Sequence, residues 1–164
     1  MGKVLHDSET PAGGKQVVTA CAFIHKTENG EVKVFSAKRA ATKKFLPNVW
    51  ELPGGHIDFG EAIVAGLKRE VREEFEVEIS IGDPFAVSAY HNPVKGSHSI
   101  QVNFFATMVS GSVAMHPEDH SACGWFTPAE IERLFLETGR SEDEELRAIR
   151  KGFALLRGER VHTG

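Results

Sequence analysis

The sequence has few cysteines, a single tyrosine and no long hydrophobic run. Cys21 and Cys123 lie far apart and form no CxxC pair, so both are expected to be reduced and buried. No apolar run reaches the ~18 residues of a membrane-spanning helix. The polar start MGKVLHDSETPAGGK also lacks the hydrophobic segment of a signal peptide. These absences predict a cytoplasmic protein with no membrane partner.

An excess of positive charge is also lacking. The 164 residues carry a net charge of −4, with 41% hydrophobic and 26% charged residues. This balance argues against a nucleic acid polymer or an anionic membrane as partner, but allows a local phosphate site. The length fits one domain with a real core. We expect a flexible tail at 1–14, a domain at 15–158 and a second tail at 159–164.

Strand-like patterns occupy most of the first part of the chain. The stretch 16–26 is rich in β-branched residues, and Asn29-Gly30 is a strong hairpin signal before a second strand. The segment 41–55 looks irregular. After a helical segment at 61–75, two further strands are expected at 77–90 and 98–111.

The end of the chain predicts a short strand after the loop 116–126, and then two helices. Thr127-Pro128 is a good N-cap and first-turn pair for a helix over 128–136, and Ser141 is expected to cap a helix over 142–157. The element order predicts an α/β fold, a mixed sheet with helices on its faces.

The helical segment carries an unusual concentration of acid, since four of the eight residues 70–77 are glutamate. Its apolar residues have helical spacing and predict one buried stripe: Ile63, Val64, Leu67, Val71 and Phe75. Beside the stripe, Glu70, Glu73 and Glu74 share one face. Gly66 lies on the same side, and we expect its missing side chain to leave room for a ligand.

Two interpretations of this acidic face are open at this point. A charged helix face is often simply solvated. Alternatively, carboxylates at i, i+3 and i+4 hold a hard cation, Mg²⁺ or Mn²⁺, rather than zinc. Such a cation shares its remaining positions with water and substrate phosphates, and would assist attack of water on a phosphoanhydride.

The surrounding residues resemble the Nudix box, G-x5-E-x7-R-E-U-x-E-E-x-G-U, where U is aliphatic. The matching positions are Gly55, Glu61, Arg69, Glu70, Val71, Glu73, Glu74 and Val77. The lead-in WELPGG and the later segment GWFTPAEI also look Nudix-like, so the resemblance covers roughly residues 15–157. It implies a Nudix α/β/α sandwich that hydrolyses a nucleoside diphosphate linked to another moiety.

The resemblance also implies roles for particular residues. The metal ligands would be the carbonyl of Gly54 and the side chains of Glu70, Glu73 and Glu74. Arg69 and Glu61 would be charge partners that hold the box loop to its helix. A further acidic ligand or base would come from 117–120, where Glu118 is preferred to Asp119.

Substrate contacts are expected from Arg39, Gly55 and His98. The lead-in AKRAATKKFLPNVWELPGG resembles the MutT-type branch, and Arg39 matches an arginine near the substrate there. The asparagine that reads an oxidised purine in that branch has no counterpart in 137–153. Specific recognition of an 8-oxo-purine is therefore not expected. The resemblance to the MutT-type branch implies a (d)NTP or a modified NTP as substrate, cleaved to NMP and pyrophosphate.

Other outcomes stay open. A pyrophosphatase of nucleotide sugars or ADP-ribose is one alternative, a non-catalytic nucleotide sensor is a second, and a structural role of the helix is a third. The expected partners are a small nucleotide and, as in many relatives, a second copy of the chain. One residue departs from the box: Glu76 stands where a glycine is expected, at a position where φ is often positive.

Overall fold

A computed structural model describes residues 13–161. Most of the predicted tail at 1–14 and half of the predicted tail at 159–164 lie outside this range. The strands and helices follow in chain order: β1 Gln16–Glu28, β2 Glu31–Arg39, β3 Trp50–Glu51, β4 Gly54–His56, α1 Ile63–Phe75, β5 Glu78–Asn92, β6 Ser97–Ser110, β7 His120–Phe126, α2 Pro128–Glu137 and α3 Glu144–Leu156. None of the helices within the described range is long and apolar enough to cross a membrane.

The strands form one mixed sheet with the path β3-β2-β1-β6-β5, in which β4 also pairs with β1 and β7 with β2. β1 and β6 run parallel, and the other pairs are antiparallel. The hairpin predicted at Asn29-Gly30 joins β1 to β2, and both residues have positive φ.

Alternation along β1 places helices on both faces of the sheet. Ala20 and Ala22 belong to a core that includes Leu67 of α1. Cys21 and Phe23, on the other face, belong to a second core formed with α2 and α3. The predicted α/β/α sandwich with a mixed sheet is confirmed.

Four local predictions need correction. Val64, expected in the buried stripe of α1, is exposed, and Cys123, expected to be buried, is only half-buried. The helix expected over 142–157 begins at Glu144, and its N-cap is Asp143 rather than Ser141, because the Asp143 side chain accepts the hydrogen bond from Glu145 N. The segment expected to be irregular, 41–55, contains β3 and the start of β4. Tertiary pairing with β2 and β1 creates these short strands.

Candidate active site

A cleft of about 370 Å³ opens where α1, β4 and the N-terminus of α3 meet. It contains all three glutamates predicted to share a helix face, together with Gly54 and Gly55. Glu70 is buried, Glu74 is half-buried and Glu73 is exposed. The face therefore borders the core and reaches solvent only at one side.

The buried carboxylates of this face resist ionisation. Burial is the main cause that raises the pKa of Glu70 to about 7, and Arg69 partly opposes it. Burial, followed by repulsion from Glu51 and Glu70, raises the pKa of Glu74 well above its usual range. The Oε2 atom of Glu74 is shut off from solvent and has no hydrogen-bond partner. A buried carboxylate oxygen without a donor is stabilised by a cation.

Two glycines set the shape of the cleft floor. Gly54 pairs with Cys21 of β1 so closely that a Cβ atom would lie 2.0 Å from the Ala20 carbonyl oxygen. A Cβ atom on Gly55 would lie 2.4 Å from Glu70 Oε2. Small residues are thus required at both positions, because one contacts a strand backbone and the other a carboxylate.

Arg69 connects the box loop to the helix. Its Nε and Nη2 atoms donate to Glu61 at 2.8 and 2.9 Å, and Nη2 also donates to the His56 carbonyl at 3.1 Å. Its Nη1 atom donates to Glu70 at 2.8 Å and to Glu73 at 3.4 Å. Led by the hydrogen bonds to Glu61, these contacts raise the pKa of Arg69. The geometry agrees with the charge-partner role that the resemblance implied.

Gly66 has a different environment from the one expected. A Cβ atom there would lie 2.7 Å from both Glu61 Oε2 and Ile57 Cδ1. The missing side chain therefore makes room for the carboxylate that Arg69 holds, and not for a ligand.

The opposite wall contains Arg39 and Glu51. Arg39 Nη1 lies 3.4 Å from Glu51 Oε2, and the buried His120 places Nε2 2.9 Å from Glu51 Oε1. Burial alone would raise the pKa of Glu51, but Arg39 and His120 outweigh it and hold the pKa below its usual value. Arg39 thus lies in the cleft, as predicted. Glu51 was not predicted as a site residue, although it lies in the WELPGG segment.

The acidic turn before β7 contains Glu118 and Asp119, and Asp119 is the one that faces the cleft. Asp119 lines the cleft and pairs with Lys43 at 3.1 Å, whereas Glu118 is exposed and lies outside it. The turn, closed by hydrogen bonds from the amides of Asp119 and His120 to the His116 carbonyl, sets this orientation. The placement does not support Glu118 as a ligand and corrects the preference between the two acids.

His98 also lies outside the cleft. It is exposed at the start of β6, where its Nδ1 atom is 3.1 Å from Gln16 Nε2 at the start of β1. The histidines in the cleft lining are His56, His91 and His120. Strand register explains why His98 lies outside the cleft. His98 pairs with Gln16, five residues along β1 from Cys21, which pairs with Gly54 at the cleft floor.

The acidic N-terminus of α3 closes the outer side of the cleft. Glu145 Oε1 accepts a hydrogen bond from the Leu52 amide at 2.9 Å, and Arg140 Nη1 donates to the Trp50 carbonyl at 2.6 Å. Burial raises the pKa of Glu145 to about 8, against the attraction of Arg140. Both residues hold the segment that leads into Gly54, and neither was predicted.

The donor set fits a hard divalent cation. It consists of carboxylate oxygens and a backbone carbonyl, without a thiolate, which is the set that Mg²⁺ and Mn²⁺ prefer. Within residues 13–161, no three acidic, histidine or cysteine side chains are already arranged as a complete metal site.

Comparison with known proteins agrees with the geometry. The family model of the NUDIX domain matches residues 15–148. A MutT-like protein of Streptomyces ambofaciens is 32% identical over 88 residues, covering 54% of each chain. An RNA pyrophosphohydrolase of Erythrobacter litoralis is 29% identical, covering 78% of this chain and 86% of the relative.

Solved structures share the fold of this chain. The Ap4A hydrolase of C. elegans superposes with a TM-score of 0.71 at 21% identity, covering 87% of this chain and 98% of the other. The chain spans only 30% and 54% of the length of the first two curated relatives it matches. The family model nevertheless covers most of the sequence and includes every box residue. The chain therefore belongs to the NUDIX hydrolase family.

Proposed function

We propose that this protein is a divalent-metal-dependent pyrophosphohydrolase of nucleoside diphosphate derivatives. The favoured substrate is a (d)NTP or a modified NTP, which would give NMP and pyrophosphate. The observation that carries the proposal is the acidic α1 face against Gly54 and Gly55, with a buried carboxylate oxygen of Glu74 that has no partner.

The residues that would hold Mg²⁺ or Mn²⁺ are the Gly54 carbonyl and the carboxylates of Glu70, Glu73 and Glu74. When bound, the cation supplies positive charge to the phosphoryl oxygens on which negative charge develops. The remaining contributions come from the chain. Arg69 fixes the orientation of Glu70, since it also holds Glu61 and the His56 carbonyl.

Two cations of the opposite wall face the same space. Arg39 and Lys43 line the cleft across from α1, and each is paired with a carboxylate, Glu51 and Asp119 respectively. We infer that both would bind substrate phosphates. In the reaction, an oxygen of water forms a bond to phosphorus, the bridging phosphoanhydride bond breaks, and pyrophosphate leaves.

A substrate panel tests the proposal. Each compound is incubated with Mg²⁺ and then with Mn²⁺, and the products are separated by chromatography. The panel contains (d)NTPs, oxidised NTPs, ADP-ribose, NADH, nucleotide sugars and Ap4A. Chromatography is needed because NTPs would release pyrophosphate, whereas the other compounds would give nucleotides and phosphate monoesters without free phosphate or pyrophosphate. RNA with a 5′-triphosphate belongs in the panel because the E. litoralis relative is an RNA pyrophosphohydrolase. We expect metal-dependent cleavage of a free nucleotide, and cleavage of RNA alone would overturn the expectation that no polymer is bound.

Two variants test the assigned roles. Glu73→Gln should lower turnover by about two orders of magnitude or more without unfolding the protein, whereas Glu137→Gln, an exposed change on α2, should not. Divalent metal should raise the Tm of the wild type, and Glu74→Gln should abolish that rise. Full turnover of Glu73→Gln would refute the proposal, and an absent metal effect on Tm would favour a structural role of the helix.

Binding without cleavage would indicate the alternative function, a nucleotide sensor. The NUDIX domain of Shewanella oneidensis NrtR, 19% identical, was solved with ADP ribose. The complete set of box carboxylates in this chain favours catalysis instead. The homodimer stays a prediction, which sedimentation analysis can check.

A further inference from the structure

Two aromatic rings meet at the outer part of the cleft. Phe45 and Tyr90 both line it, with ring centroids 6.1 Å apart and ring planes inclined by 13°. Phe45 lies in the loop between β2 and β3, whereas Tyr90 lies on β5. Both rings are half-buried, and neither belongs to the two hydrophobic cores. Core packing therefore does not account for this pair.

The loop that carries Phe45 is held in an unusual conformation. Leu46 and Asn48 have φ values of 48° and 61°. A positive φ is uncommon for leucine and persists only where surrounding contacts impose it. Those contacts come from the charged cleft: Arg39 Nε donates to the Phe45 carbonyl at 3.1 Å, and Lys43 pairs with Asp119 at 3.1 Å. One loop thus brings a cation and an aromatic ring to the same cleft.

The two nearly parallel rings could hold a planar ligand between them if they moved slightly apart. A planar ring contacts each neighbour at about 3.5–4.0 Å, so a base inserted between two rings needs centroids about 7 Å apart. The centroids lie 6.1 Å apart, which is less than that separation, so the rings must part before a base can enter between them. Arg39 holds the Phe45 backbone and Tyr90 lies on a strand, so the opening would come from rotation of the Phe45 side chain.

We propose that Phe45 and Tyr90 form the base-binding subsite of this enzyme, stacking on the planar base of a nucleotide whose phosphates face Arg39 and Lys43. The proposal rests on the proposed function and narrows it to substrates with an aromatic base. Polar side chains beside the rings, those of Thr19, Ser88 and Gln101, face the same space and can contact the base edge.

Tyr90 offers a direct test because it is the only tyrosine in the sequence. Incorporation of 3-fluorotyrosine gives one ¹⁹F resonance, and a stacked base shifts it through its ring current. Nucleoside monophosphates should shift this resonance without metal, whereas ribose 5-phosphate and pyrophosphate should not. The proposal is overturned if the resonance stays unmoved at nucleotide concentrations that calorimetry shows to be saturating, or if ribose 5-phosphate shifts it equally.

Variants separate stacking from a structural role. Tyr90→Leu and Phe45→Leu should each lower kcat/KM by roughly 5- to 100-fold, mainly through KM, since one base–aromatic stack contributes on that scale. Tyr90→Phe should keep nearly full kcat/KM because the ring is retained. Phe59→Leu, the same change at a fully exposed phenylalanine, is the matched control. A fall confined to kcat, or equal losses in Tyr90→Phe and Tyr90→Leu, would refute stacking.

The outcomes also separate the two proposals. A shifted resonance without hydrolysis of any panel compound would support the base subsite and refute the catalytic proposal. If nucleotides are hydrolysed but their binding leaves the ¹⁹F resonance of Tyr90 unmoved, the catalytic proposal would be supported and the base subsite refuted.

Discussion

Gly55 lies directly against the carboxylate of Glu70. A Cβ atom on Gly55 would approach Glu70 Oε2 to 2.4 Å and Cδ to 2.5 Å, closer than unbonded atoms allow. Because Gly55, the first glycine of the box, has no side chain, the carboxylate of Glu70, a predicted metal ligand, can occupy this position. The contact links a strand residue to a helix residue across the cleft floor.

Gly55→Ala should displace the Glu70 side chain while leaving the fold intact, because the crowded atoms belong to a side chain. A displacement of about 1 Å in an active site can reduce turnover by about 100-fold. Turnover and Tm should be measured beside Gly82→Ala, whose Cβ atom would meet its nearest neighbour at an ordinary 3.5 Å. Equal turnover in the two variants would show that Gly55 does not position Glu70.

Arg69→Lys should weaken both stability and turnover, because a lysine cannot reproduce the paired bonds to Glu61. We expect a loss of about 1–3 kcal/mol in the free energy of unfolding, since these contacts are partly buried. The control is Arg150→Lys, which alters a similar paired contact with Glu132 at the surface. Exposed pairs contribute about 0–1 kcal/mol. Denaturant titration would contradict the prediction if both variants lost the same amount.

Glu76→Gly should stabilise the protein. Glu76 ends α1 with φ 58° and ψ 30°, the left-handed conformation that the box glycine adopts freely. Removing the strain of a non-glycine residue should gain about 1 kcal/mol, less the greater entropy of glycine in the unfolded chain. Glu137→Gly, at the end of α2, should destabilise instead. A fall in Tm for Glu76→Gly would contradict the prediction. It would show that the Glu76 side chain stabilises the folded protein by more than its backbone strain destabilises it.

The stability of the metal-free protein should depend on pH through Glu145. The pKa of Glu145 is about 8 in the folded protein and 4.5 ordinarily. Between pH 4.5 and pH 8 the folded protein therefore keeps a proton on Glu145 that the unfolded chain has lost. The associated stability is complete below about pH 4.5 and is lost as pH rises towards 8, by at most about 1.4 kcal/mol per pH unit. Glu145→Gln retains an acceptor for the Leu52 amide and should reduce this slope.

Denaturant titrations in chelator at several pH values compare the wild type, Glu145→Gln and Glu144→Gln. Glu144 is the exposed neighbour, and its variant should keep the wild-type slope. A slope that Glu145→Gln leaves unchanged would place the titrating group elsewhere.

Local periodicity predicted α1. The buried residues Leu67, Val71 and Phe75 and the shared face of Glu70, Glu73 and Glu74 depend only on helical geometry, which fixes the angle between residues near in sequence. Val64, also predicted in the buried stripe, is exposed. The Nudix box added the roles of Arg69 and Glu61, and the structure brings both together at hydrogen-bond distance. The positive φ of Glu76 was likewise foreseeable from the missing box glycine.

Apart from Arg39, the residues that reach the cleft from other segments were decided by the tertiary structure. Glu51, Asp119, Glu145 and Tyr90 reach it from four separate segments, and their convergence depends on strand register and helix docking. In the turn before β7, Asp119 faces the cleft and its neighbour Glu118 does not. Strand register places His98 outside the cleft. Sequence spacing within one helix specifies angles, but contacts between distant segments arise only when the sheet and both helical layers have packed.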